Sequence, residues 1–427
     1  MHSGLRFSVY SHNLIIGENQ LVSRKFIVLK EINGSIRFTD FHRYIKPKNR
    51  TIRNISDDGN NRFDFIVKFL NYAYFYRGIK TLNELTIPII KDFMNGYGTG
   101  TLPDDEAGRT KNTVISCFNA IMDFLEHYLN DNKQKCKFKK DDLYKYVPVR
   151  DKNGKTHNVK VPIFDVVYVN KPKDIFRDMP NDAFDMLFEH ISIYHKDLLG
   201  LISLSAFAGL RPSEACNVRR VDSRLGAGII FYEYDNEVHK VQIDLRKELC
   251  LRSDLKSTGR IKKERMQTIP LIFTDAFVNS YNNYMEYMDG KKYEAEYGAF
   301  SVNKQGKAIT YDNYYQKFSK IIKEEMIPKY LNSDNPEIVM YGRLLLENNI
   351  SPHIFRHWYT VQLVLAGVDN VGELMQARGD SSPESSLTYL QNKGELEKQY
   401  RKVNNEMFDY LSWVAEKKHK RGRYDGI

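Results

Sequence analysis

The sequence predicts a mainly α protein with small β elements (α+β), in which a helical domain precedes a larger, mostly helical domain carrying a small β-sheet. Apolar residues recur at three- and four-residue spacing over residues 60–135 and again from about 180 to 415, the mark of amphipathic helices. Alternation of period two is confined to short runs, two of them centred on Asn-Gly pairs, which reads as hairpins. No period of 20–50 residues repeats and no segment is low-complexity, which sets aside solenoids and propellers.

In chain order, residues 24–41, RKFIVLKEINGSIRFTDF, alternate on both sides of Asn33-Gly34 and predict a hairpin with a two-residue turn at positive φ. A basic stretch follows from His42 to Arg53, with five Lys/Arg, ending in the polar linker SDDGNN at 56–61. From residue 62 the period turns helical: Phe65, Ile66, Phe69, Leu70 and Ala73 share a face, and Gly78 stops it. A second helix starts near Pro88 with Ile89, Ile90, Phe93 and Met94, and ends before GYGTG at 96–100. A third runs from about Thr110 with Val114, Ile115, Phe118, Met122, Leu125 and Leu129 on one stripe. Ordinary core packing explains all three stripes.

Residues 136–173 are lysine-rich, then strand-like around Asn153-Gly154, and a new helical pattern opens near Pro180. Strands are expected at about 227–245 and 265–272. The resulting organisation is 1–57, an N-terminal β-hairpin and basic region; 58–135, a compact helical domain; 136–178, a basic linker with a hairpin; 179–392, the larger domain; and 393–427, a C-terminal helix and basic tail.

The chain's 427 residues carry 64 Lys+Arg against 54 Asp+Glu, a formal net charge of +10. A basic balance points toward a polyanion partner. Hydrophobic residues at 42% and aromatics at 13% exclude a disordered chain. Cys117, Cys136, Cys216 and Cys250 lie far apart with no C-x-x-C pair, which excludes a zinc framework or disulfide scaffold. No apolar run has the length of a spanning helix, and the N-terminus MHSGLRFSVYSHNLII lacks the layout of a secretory signal. The expectation is a cytoplasmic protein with no membrane partner.

Four pieces of the larger domain carry chemistry. In SLSAFAGLRPSEACNVRR, residues 203–220, an apolar helix ends at Gly209, Arg211 sits in a turn and Glu214 opens the next helix. In LKSTGRIKKERMQTIPL, 255–271, Lys256 precedes a Ser-Thr-Gly turn before the chain returns as a strand ending at Pro270. SPHIFRHWYTVQLVLAG, 351–367, places His353, Arg356 and His357 at the start of an otherwise apolar helix, and ARGDSSPESSLTYL, 377–390, places Tyr389 near the end of a short one. Singly, each has a bland reading: a capping arginine, a solvated lysine, a structural tyrosine. Zinc on His353 and His357 suits their i, i+4 spacing, but no H-E-x-x-H pattern or nearby third ligand accompanies them.

Taken in order, Arg–x–x–Glu, a hairpin lysine, His–x–x–Arg–His, then a small-residue turn and a tyrosine resemble the tyrosine recombinase (phage integrase) family. The resemblance covers roughly residues 180–392 by motif, and the helices of 58–135 resemble the family's SAM-like core-binding domain by pattern. It implies double-stranded DNA as substrate and Tyr389 as the nucleophile that forms a 3′-phosphotyrosyl link. Arg211 and Arg356 are then the phosphate clamp, with His353 donating a hydrogen bond or moving a proton and Lys256 the general acid. A guanidinium stays charged and grips two phosphate oxygens at once, which suits the first task. Glu214 and His357 are expected to support the site, with no metal and no cofactor. One position departs from the pattern: nine residues before the nucleophile, where the family carries a histidine or tryptophan against the phosphate, stands Asp380. Its charge must be turned toward Arg378, held by a neighbouring protomer's lysine, or neutralised, and on that basis its replacement by alanine is expected to be tolerated. The competing reading gives Asp380 a task of its own, orienting Arg356 or restraining Tyr389, and replacement would then harm recombination.

The function expected is a site-specific DNA recombinase, the integrase or transposase of a mobile element, working as a homo-oligomer on DNA (dimer to tetramer) with accessory DNA-bending proteins as candidate partners. Two alternatives stand beside it: a catalytically weak DNA-binding regulator on the same fold, favoured by Asp380, and a related type IB topoisomerase or hairpin-forming resolvase. Residues 24–53 read either as an arm-like DNA-binding module or as a structural β-extension. The stripe Leu396, Tyr400, Val403, Met407 and Leu411 reads as a protomer contact or as packing in cis, and the tail KKHKRGR as a phosphate contact or a solvated end.

Overall fold

A computed structural model of the chain describes residues 4–45, 62–133, 135–150, 156–169, 179–291, 295–380, 383, 386, 387 and 389. The segment from residue 46 to the linker at 56–61, the Asn153-Gly154 turn, the C-terminal stripe and the basic tail lie outside the described residues. The chain is mainly helical with small sheets, as the periodicities require. By contact it divides into two compact units, Met1–Leu14 with Val22–Asp174, and Ile15–Leu21 with Ile175–Ile427.

The first unit opens with a three-stranded sheet of β1 (Arg6–Ile16), β2 (Gln20–Lys30) and β3 (Ile36–Phe38), in that order. β1 was not legible, because RFSVYSHNLII alternates only in part. β2 and β3 pair antiparallel from Val28↔Phe38 to Lys30↔Ile36. Their connection is five residues long, not two. Gly34 takes positive φ (85°), whereas Asn33 uses its side-chain oxygen to accept from the Ser35 N–H at 2.9 Å, a local bond typical of Asn in turns.

Helices α1 (Arg62–Asn71), α2 (Ile87–Thr99) and α3 (Lys111–Asn132) follow. They bury Phe63, Ile66, Phe69, Leu70, Ile90, Phe93, Met94, Val114, Cys117, Ile121 and Leu125 in one core. Ile115, expected on that face, is 46% exposed; the buried stripe runs through Cys117 and Ile121 instead. The glycines at 96–100 do not end α2, which continues to Thr99. A Cβ at Gly98 would lie 2.1 Å from the Val167 carbonyl oxygen, so this glycine serves close backbone approach inside the helix. After α4 (Lys140–Leu143), β4 (Tyr144–Arg150) and β5 (Thr156–Pro162) form the second hairpin, paired from Tyr144↔Pro162 to Arg150↔Thr156.

The second unit contains α5 (Asn181–Tyr194), α6 (Lys196–Ala206), α7 (Pro212–Ala215), the antiparallel sheet β6 (Ile229–Tyr234), β7 (Glu237–Leu245) and β8 (Arg265–Thr268), then α8 (Leu271–Lys291), α9 (Tyr311–Ile321), α10 (Ile327–Leu331), α11 (Pro336–Glu347), α12 (His353–Leu365) and α13 (Val371–Arg378). The β1–β2 turn belongs here: Asn19 Nδ2 donates to the Cys250 carbonyl at 2.6 Å, and the Cys250 N–H to the Asn19 carbonyl at 2.9 Å. No described helix is long and apolar enough to cross a membrane.

α12 is the spine of this unit. Trp358 is fully buried, stacks on Phe184 with centroids 3.9 Å apart and donates its indole N–H to Asn181 Oδ1 at 2.9 Å. Trp358→Ala should therefore lower stability by about 3–5 kcal/mol, the range for emptying a large aromatic site, seen as a lower denaturation midpoint by circular dichroism. A loss below about 1 kcal/mol would mean that the neighbours collapse into the space.

Candidate active site

Four turns and helix ends of the second unit converge. Arg211 caps α7: its N–H donates to Glu214 Oε2 at 3.2 Å and its Nη1 to Glu214 Oε1 at 2.9 Å. Glu214 is completely buried and also accepts from Arg265 of β8, at 3.3 Å on Oε1 and 3.0 Å on Oε2. Burial pushes the Glu214 carboxyl up, but the hydrogen bonds of Arg265 and the charges of Arg265, Arg211 and Arg356 outweigh it and hold the group below the usual carboxylate range. The acid thus stays ionised and orients two arginines.

Arg356, one turn into α12, is 3% exposed. Its Nη1 donates to the Gly209 carbonyl and its Nη2 to Asp380 Oδ1 at 2.6 Å. Arg211 Nη2 donates to that same Oδ1, also at 2.6 Å. Asp380 Oδ2 accepts from Arg378 Nε at 2.6 Å, and Arg378 Nη1 reaches Thr360 Oγ1 at 2.5 Å. Arg211 and Arg356 are therefore brought together, and a carboxylate sits between them. Burial pushes the Asp380 carboxyl up, while Arg356, Arg378 and Arg211 pull it further down. The turn is fixed by Gly379 (φ 63°), where a Cβ would lie 2.2 Å from Arg265 Nε; only glycine fits both demands.

Tyr389 is 7% exposed. Its hydroxyl is hydrogen-bonded to His357 Nδ1, and the Arg378 guanidinium lies over its ring, 5.0 Å from the centroid. His357, read from the sequence as support, is thus the group that meets the tyrosine hydroxyl. His353 is at the solvent-facing rim. Packing around it, and the charges of Arg356, Arg211 and Arg378, push its imidazole down to about 4, so it is neutral at physiological pH.

Lys256 is not brought to the cluster by any described bond. It is exposed, and its backbone N–H donates to Asp254 at 3.2 Å. The lysine that arrives from the β7–β8 connection is Lys263, whose Nζ donates to the Asp380 carbonyl at 3.2 Å. The sequence does not single it out, because Arg260, Lys262 and Arg265 lie within three positions of it, leaving spacing no means to choose. The connection is anchored to the Arg211 turn: Ser213 Oγ donates to the Arg260 carbonyl at 3.0 Å, and Asn217 Nδ2 to Thr258 Oγ1 at 3.0 Å.

Among the described residues, His353 and His357 meet no third ligand for zinc. The described residues do place His190, His195 and Glu325 within metal-ligand reach of one another. Lys329 Nζ, which has no acceptor, stands 2.7 Å from His190 Nδ1, so that nitrogen accepts and Nε2–H donates to Glu325 Oε2 at 2.6 Å. A metal on Nε2 would force a proton onto Nδ1 against an ammonium, so the trio reads as a hydrogen-bond network.

The cluster as a whole offers three arginines around one carboxylate, with a lysine on the backbone carbonyl of the same residue, beside a tyrosine in contact with an imidazole. Such a site can receive an anion and present a hydroxyl nucleophile with a proton acceptor. No protein-family model matches the chain, and no curated protein matches it. Solved structures do. A XerH site-specific recombinase bound to its difH substrate in a pre-cleavage complex is 17% identical and matches 80% of this chain and 79% of its own, with a TM-score of 0.43. The integrase of the Tn1549 transposon, in complex with transposon right end DNA, is 13% identical over 85% of this chain and 98% of its own, with a TM-score of 0.46. A XerA recombinase is 14% identical over 81% and 90%, with a TM-score of 0.33.

Proposed function

We propose that this chain is a DNA strand-breaking and rejoining enzyme of the tyrosine recombinase kind, a site-specific recombinase of a mobile element. The observation that carries this reading is that Arg211 and Arg356 are held side by side as a pair on one oxygen of Asp380, with Tyr389 on the same cluster through Arg378 and His357. In the proposed step the Tyr389 oxygen attacks the scissile phosphorus. The P–O5′ bond breaks as the P–O(Tyr) bond forms, the tyrosine proton passes to His357, and a lysine protonates the departing 5′ oxygen. Arg211 and Arg356 neutralise the non-bridging oxygens, with the neutral His353 supplying a further hydrogen bond at the rim. The bond energy is kept in the phosphotyrosine, so a second DNA end can attack and close the exchange, with duplex DNA held by an oligomer of this chain.

The test is a nicked suicide duplex carrying the element's end sequence: wild type should form an adduct that survives denaturant and joins two DNA molecules. Adduct formation with relaxation alone would favour the topoisomerase reading, and binding with no adduct the regulatory one. The leaving-group role is divided by the same assay. Lys263→Ala should cleave ordinary DNA poorly and recover on a substrate with a 5′-bridging sulfur, which needs no proton on departure. Recovery confined to Lys256→Ala would return that role to Lys256.

A further inference from the structure

The structure assigns Asp380 the task of a positioning residue: its carboxylate sets Arg211 and Arg356 as a pair and ties them, through Arg378, to Tyr389. This inference rests on the strand-breaking reading for its catalytic consequence, but the geometry stands by itself. Oδ1 accepts from Arg211 Nη2 and Arg356 Nη2, both at 2.6 Å, and Oδ2 accepts from Arg378 Nε at 2.6 Å. Three guanidiniums packed in a buried space repel one another and lose hydration. The carboxylate relieves both penalties, and its two oxygens fix which nitrogens face inward.

The carboxylate is itself held from behind. Gly379 and Asp380 close the C-terminus of α13, with the Asp380 N–H on the Met375 carbonyl at 2.9 Å, and Lys263 Nζ on the Asp380 carbonyl. The turn that carries the carboxylate is thus fixed at both its backbone N–H and its carbonyl. The Arg378 guanidinium that binds Oδ2 also covers the Tyr389 ring. One carboxylate therefore registers the phosphate-facing arginines against the hydroxyl that would attack, a distance that chemistry of this kind tolerates poorly. Asp380 then marks an assembled catalytic site, and the tolerance of alanine expected from the sequence is replaced by a loss.

The experiment pairs Asp380→Ala and Asp380→Asn with two readouts. On suicide DNA, single-turnover cleavage should fall by on the order of 10–100-fold for alanine, the scale for losing an outer partner that orients a charged group. Asparagine, which keeps one oxygen, should lie between alanine and wild type. DNA affinity in both should match or exceed wild type, since a negative charge has been removed near the phosphate. In the full-length protein carrying 15N-labelled arginine, the Arg378 Nε–H resonance should lose its shift and its protection from exchange in both variants, while Arg252 Nε–H, bonded to Asp254 at 2.9 Å, stays put. An unmoved Arg378 resonance overturns the inference whether or not the wild type cleaves DNA. Faster cleavage in the alanine variant would make Asp380 an inhibitory stand-in for phosphate and overturn it too. A parallel fall in affinity, cleavage and thermal midpoint would reduce it to a folding contact. A wild type that forms no adduct defeats the proposed function instead, and the resonance still decides the positioning.

Discussion

Tyr389→Phe is expected to abolish covalent capture of DNA and to leave DNA affinity within about twofold of wild type. The substitution removes one oxygen and nothing else of the packing. The ring keeps its place under the Arg378 guanidinium, so that contact survives, and the half-buried bond between the hydroxyl and His357 Nδ1 is lost at a cost of about 1 kcal/mol. Affinity for duplex DNA rests on phosphate contacts spread over the protein and falls steeply with salt, so it does not depend on this hydroxyl. The bond to phosphorus does, entirely. A denaturing gel of the nicked suicide duplex reads the first effect, and fluorescence anisotropy at two salt concentrations the second. A Phe variant that still traps DNA would show that another hydroxyl is the nucleophile. A Phe variant that loses affinity and adduct together would place Tyr389 in binding, not chemistry.

How much of this was legible in the sequence follows from what each signal encodes. Periodicity located α1 to α3, because apolar residues at helical spacing must face a core. It misplaced Ile115, because a stripe three residues wide leaves its edge to tertiary packing. The hairpins were visible through Asn-Gly and alternation, yet the length of the first loop was not, since Asn33 served as a side-chain acceptor instead of a left-handed residue. In the candidate site, the order of residue types led to Arg211, Glu214, Arg356 and Tyr389; folding brings the two arginines onto one carboxylate, with Glu214 behind Arg211 and Tyr389 reached through Arg378. The bonds themselves were hidden. Arg211 and Asp380 are 169 positions apart and share a hydrogen bond at 2.6 Å, and no local rule foretells such a pair. For the same reason Asp380 read as a liability. Its charge was evident, whereas the three guanidiniums that absorb it become neighbours only in the folded chain. Lys263 was lost among adjacent basic residues, which are equivalent in one dimension and distinct in three.

Arg211→Ala and Arg356→Ala should each reduce single-turnover cleavage by about 10²–10³-fold, the measured scale for removing one preorganised donor from a developing oxyanion. Lysine should restore little at either position. Arg356 serves two acceptors in different directions, the Gly209 carbonyl from Nη1 and Asp380 from Nη2, and Arg211 bridges Glu214 and Asp380 in the same way. A single ammonium reaches one of each pair. Stability must be measured beside rate, because both alanines disturb buried partners. Arg356→Ala leaves the Gly209 carbonyl without that donor, a cost of about 1–3 kcal/mol. Arg211→Ala leaves Glu214 on Arg265, which holds both its oxygens, and on the Lys262 N–H, so the smaller structural loss is expected there. The decisive measurement is the pair of double variants with Asp380→Ala. Because both arginines donate to the same Oδ1, removing the acceptor first should shrink the further loss on removing either arginine, giving a coupling energy of about 0.5–3 kcal/mol where independent sites give near zero. Additive losses would separate the arginines from Asp380 in the working enzyme, and near-wild-type cleavage by either single alanine would remove that arginine from the clamp.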